Sequence, residues 1–207
     1  MKRLTTQDQL ESEIKRLIAL EPRFGVVYQK HGTPSLRGAE ANLETLLMIV
    51  TEQFISLKAA AAIWQRVAVA MGPISSAVVL ACTPERLMEL GLSRSKANCF
   101  HACALAPLDF GAAPDDLRKR LLDIWGIGPW TADIFMLTAI GHADAWPAGD
   151  LALQTATQNL LNLKARPSAR KMEEIATAWQ PHRATAARLL WAHYRGLNGL
   201  PQAPSQN

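Results

Sequence analysis

The 207-residue sequence has no apolar run near the roughly 18 residues that a membrane-spanning helix requires. It has only three cysteines, Cys82, Cys99 and Cys103, an odd number that gives no disulfide framework. Its N-terminal stretch MKRLTTQDQLESE lacks the apolar centre of a secretion signal, which argues against export and for a cytoplasmic location. Strand-like alternation of apolar and polar residues is missing as well, and so are low-complexity segments, flexible linkers and internal repeats.

What remains is the composition of a folded globular chain, 49% hydrophobic and 19% charged. The net charge of +4 is unevenly spread. Residues 151–207 hold seven Lys/Arg against two acids, while residues 1–150 are nearly balanced, which suggests an anionic partner such as nucleic acid.

Helical periodicity runs through the chain. It predicts helices over 6–20, from Pro22 to the Gly32–Pro34 break, over 42–54, and from Leu57 to Gly72 with Ser56 as cap. Further helices are expected from Pro84 to Gly91, after Ser93 through RSKANCFHACALA, from Pro114 to Trp125, and over 129–140, 150–163, 168–178 and 182–197. Residues 201–207, PQAPSQN, read as a flexible tail.

Three stretches carry possible chemistry. In WGIGPWTADIFM (125–136), Gly126 and Gly128 permit a tight turn, and Pro129 suits the first turn of a new helix. A helix–hairpin–helix follows, spanning about 117–138, with backbone N–H groups around Gly126–Trp130 turned outward as an anion site for DNA phosphate. An ordinary helix–helix connection would carry the same glycines. Trp125 reads most simply as a core residue at the end of the first helix. In ADAWPAGDLALQ (143–154), Asp150 opens a helix after a stiff turn. It is either just a cap, or a carboxylate that supports a developing sugar cation or aligns a water. In AWQPHRATAARLLW (178–191), Trp179 and Trp191 are either core residues or, for Trp191, a stacking surface near a pocket. Cys99 and Cys103 share a helix face around His101, but no co-ligands accompany them, so metal binding by side chains is not expected.

Together these stretches resemble the helix-hairpin-helix DNA glycosylase superfamily, and within it the bacterial 3-methyladenine DNA glycosylase II branch. The hairpin G-[IV]-G-x-W-T-A is matched from Gly126 to Ala132, and a P-x-x-D aspartate twenty residues past Trp130 falls on Asp150. W-x-P-x-R-[SA]-x-A-x-x-x-x-W is matched from Trp179 to Trp191. IVTEQFISLKAA (49–60) resembles the family's I-x-x-Q-x-[LIV]-S segment, and GLSRSKA (91–97) its G-L-S-x-x-K-A turn.

The resemblance implies an all-α, two-lobed fold with the hairpin beside a cleft. Residues 36–140 would form one lobe, and 1–35 with 141–200 the other. It implies a monomeric enzyme that binds double-stranded DNA, flips an alkylated purine out of the helix and hydrolyses its N-glycosylic bond. Asp150 would be catalytic, acting as general base or as electrostatic partner. Trp130, Trp191 and Ile134 would line the base pocket, Ile134 where some relatives carry Tyr. Gly126, Ile127, Gly128, Trp130, Thr131, Gln53 and Phe54 would meet DNA. Phe54 stands either as a wedge into the stack or as a core residue, and Glu52 is an unexpected carboxylate beside it. A sodium or potassium ion at the hairpin carbonyls near Gly126 and Gly128 is the one cofactor implied. Related glycosylase-lyases carry lysine where this chain has Trp130, so lyase chemistry is not expected. No cysteine follows Cys103, so the iron–sulfur cluster of some relatives is not expected either. The same fold could instead serve a deaminated or etheno-adduct purine, or bind DNA without catalysis.

Overall fold

The computed structural model describes residues 2–36 and 38–201, so residues 202–207 of the expected tail lie outside the described residues. Among the described residues the chain is helical, with one isolated antiparallel bridge between Arg3 and His142 and no strand. No helix among them is long and apolar enough to cross a membrane.

The chain divides into two units, a central one of residues 39–135 and a terminal one of residues 1–38 with 136–207. The central unit holds α3 (Leu43–Glu52), α4 (Leu57–Met71), α5 (Ser76–Ala81), α6 (Pro84–Glu89), α7 (Arg94–Leu105), α8 (Pro114–Leu122) and most of α9 (Pro129–Thr138). The terminal unit holds α1 (Gln7–Leu20), α2 (Arg23–His31), α10 (Leu151–Leu160), α11 (Ala169–Ala176), a short 3-10 turn at Thr177–Trp179, and α12 (Arg183–Leu197).

Most helix starts are written locally. Thr6 forms a capping box with Gln9, and Asn42, Ser56, Ser75, Thr83, Ser93, Asp150 and Ser168 each accept a backbone N–H of the first turn. In the central unit α7 packs against α3, α5 and α6, with Leu46, Leu47, Val50, Leu87 and Phe100 fully buried. In the terminal unit α12 packs against α1, α2 and α10 around Leu10, Ile14, Leu17, Phe24 and Leu189.

The terminal unit also buries charge. Glu13 is inaccessible and is bound by Lys2, by Arg16 (2.9 Å) and by His182 Nδ1 (2.5 Å). Burial pushes the Glu13 carboxyl upward, but the hydrogen bonds from Lys2 and His182 outweigh it and leave the group below the usual carboxylate range.

Among the differences from expectation are two helix ends near the candidate residues and one additional helix. α3 ends at Glu52 rather than residue 54, because Gln53 turns extended (φ −55°, ψ 128°) and Phe54 enters the left-handed region (φ 57°). α8 ends at Leu122, three residues before Trp125, where Asp123 and Ile124 fold into a turn. α5, capped by Ser75, had no sequence counterpart because six residues show too little periodicity.

Candidate active site and nucleic-acid interface

In the terminal unit, Asp150 is fixed by the turn that precedes it. Its own N–H donates to Pro147 O (2.9 Å), the Ala148 N–H donates to Trp146 O (2.9 Å), and Gln154 Nε2 donates to Ala148 O (3.0 Å). Asp150 Oδ1 then accepts two hydrogen bonds, one from the Leu153 N–H (2.9 Å) and one from Trp191 Nε1 (3.2 Å). The first is the cap that the sequence suggested. The second joins the carboxylate to an indole edge and is not explained by capping. Both residues are half-buried, so charge and ring remain within reach of a ligand.

The other tryptophans of this unit are structural. Trp179 is 1% exposed and meets Phe24 and Trp146 edge-on, at ring-centroid distances of 5.2 and 5.5 Å. The arginines of the 178–191 stretch are also committed internally. Arg183 clasps Asp144 through Nε and Nη2, both at 2.8 Å. Arg188 is buried, with Nη2 donating to Leu36 O (3.1 Å) and Leu137 O (3.2 Å), and burial pushes its guanidinium down to about 10. The positive charge of the C-terminal quarter is therefore only partly available to an anionic partner.

In the central unit the hairpin between α8 and α9 is the feature of interest. Its two glycines differ in kind. At Gly126 (φ +87°) an added Cβ would lie 2.8 Å from both Cβ and Sγ of Cys99, so the fold itself requires glycine there. At Gly128 an added Cβ would meet nothing within 4 Å and φ is not left-handed, so the fold does not. Neither glycine donates its N–H to another described residue. The Ile127 amide differs from the outward set expected: it donates to Ile124 O (3.0 Å), and its side chain is buried. Arg118 Nε and Nη2 bind the buried Asp133 at 2.7 and 3.3 Å and so staple α8 to α9 across the hairpin.

The remaining candidates separate clearly. Trp130 is half-buried, Thr131 is buried, and Ile134 is 7% exposed. Gln53 Nε2 donates to Gly126 O (3.1 Å) and to Thr131 Oγ1 (2.8 Å), so its amide grips the hairpin. Phe54 is fully exposed, which overturns the core alternative for that residue. Trp125, expected in the core, is 58% exposed and lines a hollow of about 430 Å³ with Leu105, Leu108 and Ile124. It left the core because α8 stopped a turn early. Lys96 was matched only as part of a turn. Its Nζ donates to Thr51 O (2.8 Å) at the end of α3, and burial lowers its pKa. No group of three or more His, Cys, Asp or Glu that could hold a metal occurs among the described residues.

Residues 47–181 match the HhH-GPD superfamily of base excision DNA repair proteins, a span that includes Gln53, the hairpin and Asp150. The chain belongs to this superfamily. It is 24% identical to the Bacillus subtilis protein YfjP, whose assignment as a DNA-3-methyladenine glycosylase is itself provisional, over 90% of this chain and 75% of that one. The crystal structure of DNA-3-methyladenine glycosidase from Bacillus halodurans superposes with a TM-score of 0.75 at 25% identity, covering 92% of this chain and 93% of that one. An 8-oxoguanine glycosylase/lyase from Clostridium acetobutylicum, in complex with DNA, superposes with a TM-score of 0.76 at 14% identity, over 91% of this chain and 71% of that one. The superfamily's fold thus serves lyases as well as glycosidases, and the chemistry has to be argued from side chains.

Proposed function

We propose that this chain is a monomeric, monofunctional DNA glycosylase that hydrolyses the N-glycosylic bond of alkylated purines, chiefly 3-methyladenine and also 7-methylguanine. The observation that carries this reading is the hydrogen bond from Trp191 Nε1 to Asp150 Oδ1. It holds the Trp191 ring, on α12, beside the Asp150 carboxylate at its rigid turn. A purine alkylated at N3 or N7 is cationic, so its stacking on indole gains a cation–π contribution of about 0.5–2 kcal/mol. Trp130 is proposed as a second stacking ring, and Ile134 as an apolar wall.

As the C1′–N9 bond breaks, its electron pair passes to the base, which leaves neutral and needs no strong general acid. Asp150 stabilises the positive charge left on the sugar. Water oxygen then bonds to C1′ and its proton is lost, to Asp150 or to solvent. Indole at position 130 has no amine with which to form a Schiff base, so no lyase step follows.

DNA would be held through the unspent N–H groups of Gly126 and Gly128 at the start of α9, with Gly128 leaving room for the sugar–phosphate backbone. Phe54 would fill the space left by the flipped nucleotide. For a sodium or potassium ion, the carbonyls of Gly126 and Gly128 each already accept one hydrogen bond, from Gln53 and the Ala132 N–H. Each keeps a second lone pair, so the pair fits a cation whose other ligands come from DNA and water.

The test is release of free bases from methylated duplex DNA by the wild type and by Asp150→Asn. Asparagine caps a helix as well as aspartate, so α10 should survive. Loss of the charge should slow release on the order of 10²–10³-fold. A wild type that frees no methylpurine defeats the substrate assignment. A variant of full activity defeats the role of Asp150, and efficient borohydride trapping of a DNA adduct defeats the role given to Trp130.

A further inference from the structure

Gln53 stands between the two elements of the central unit that are proposed to meet DNA. Its backbone leads from the end of α3 directly into Phe54, and its side chain reaches 73 residues along the chain to the hairpin. The two amide hydrogens on Nε2 are both spent, one on Gly126 O (3.1 Å) and one on Thr131 Oγ1 (2.8 Å). Those donors are therefore not free for the direct DNA contact that the resemblance implied for this residue.

Phe54 combines two unfavourable features. A bulky side chain rarely adopts positive φ, and here φ is 57°. Its whole ring is also exposed to water. Such a conformation persists only where neighbouring contacts over-determine it. The contacts present are on the preceding residues: Lys96 Nζ on Thr51 O, and the double hold of Gln53 on the hairpin. The first holds the backbone three residues before Phe54, and the second anchors the side chain of the residue next to it.

We infer that Gln53 is a positioning residue that couples the hairpin to Phe54. A DNA backbone seated on the hairpin steadies the Gly126 carbonyl and Thr131 hydroxyl that Gln53 grips, and that grip holds the 53–55 turn so that Phe54 points outward, ready to enter the stack. This rests on Phe54 being the wedge. Gln53 has no direct contact with the base in this account, and its effect passes wholly through Phe54.

The experiment uses the full chain and a duplex with 2-aminopurine beside a 3-methyladenine analogue that resists hydrolysis, so that fluorescence reports base flipping. Binding to undamaged duplex is measured in parallel. Gln53→Met keeps length and loses both donors. It should lower the flipping equilibrium about tenfold, roughly the net contribution of one hydrogen bond, and by more than it lowers affinity for undamaged duplex. Thr131→Val, which removes one acceptor, should act in the same direction and protects the test against a poorly folding Gln53→Met. In a Phe54→Ala background Gln53→Met should cause no further loss, the non-additivity expected of residues acting in series. Normal flipping in both Gln53→Met and Thr131→Val overturns the inference, as does a loss that adds fully to that of Phe54→Ala. If Phe54→Ala itself flips normally, the wedge reading falls, and that outcome is distinct from the other two.

Discussion

The two hairpin glycines allow one structural contrast to be worked through. Alanine at position 126 must hold φ +87°, which costs about 1–2 kcal/mol for a residue with a Cβ. The new methyl would also sit 2.8 Å from Cβ and Sγ of Cys99, which is buried in α7 and has little room to yield. Overpacking of this sort costs about 1–3 kcal/mol. Gly126→Ala should therefore destabilise the protein by about 2–5 kcal/mol, and for a chain of this size the melting temperature should fall by about 4–20 °C. Gly128→Ala meets no atom and no left-handed backbone, so it should leave the melting temperature unchanged or raise it slightly, since alanine restricts the unfolded chain. Its effect should appear only with DNA, where the methyl occupies the space proposed for the backbone. Affinity for a duplex, measured by fluorescence anisotropy, should fall about tenfold or more. Thermal unfolding and duplex titration of the two variants separate the roles. A Gly126→Ala protein as stable as the wild type would refute the packing argument, and a Gly128→Ala protein of unchanged affinity would refute the phosphate site.

Two further outcomes concern the terminal unit. Arg188→Met should leave the carbonyls of Leu36 and Leu137 without their donor, at about 1–3 kcal/mol each, and so lower stability by about 2–6 kcal/mol in urea unfolding. Stability should also depend on pH in two windows, followed by unfolding at a series of pH values. Burial holds His31 and His193 below the usual imidazole range, so the unfolded chain binds more protons, and stability present above about pH 6.5 should decline as pH falls through their folded values. Glu13, also depressed, should add a second loss once pH falls below about 4.3. His193→Gln should weaken the first window, leaving the part due to His31, and leave the second unchanged.

Much of this was legible in the sequence because it is local. A cap residue and a run of apolar periodicity fix a helix within a few residues, and Ser56 and Ser93 did so. The Gly126–Thr131 turn and the Asp150 cap are local in the same sense. What could not be read depends on partners far along the chain. Nothing near Gln53 announces that its amide bonds Gly126 and Thr131, and nothing near Arg188 announces the carbonyls of Leu36 and Leu137. Trp125 went wrong for a related reason. The periodicity of RKRLLDIW continues to the tryptophan, but the backbone turns at Asp123, and that turn alone moves the ring from the interior to the surface.

The grip of Arg188 on Leu36 and Leu137 also bears on how the chain is made. The central unit is one continuous stretch, residues 39–135, and can complete itself as soon as it clears the ribosome. The terminal unit is assembled from both ends of the chain. Residues 2–36 emerge first, yet the arginine that ties Leu36 lies 152 residues later, and the histidine that meets Glu13 lies 169 residues later. At about 5–20 residues per second, α1 and α2 must wait roughly 8–30 seconds for α12. During that interval Leu10, Ile14, Leu17 and Phe24 have no finished core to enter, so the apolar faces of α1 and α2 stay open to non-native contacts until α12 arrives.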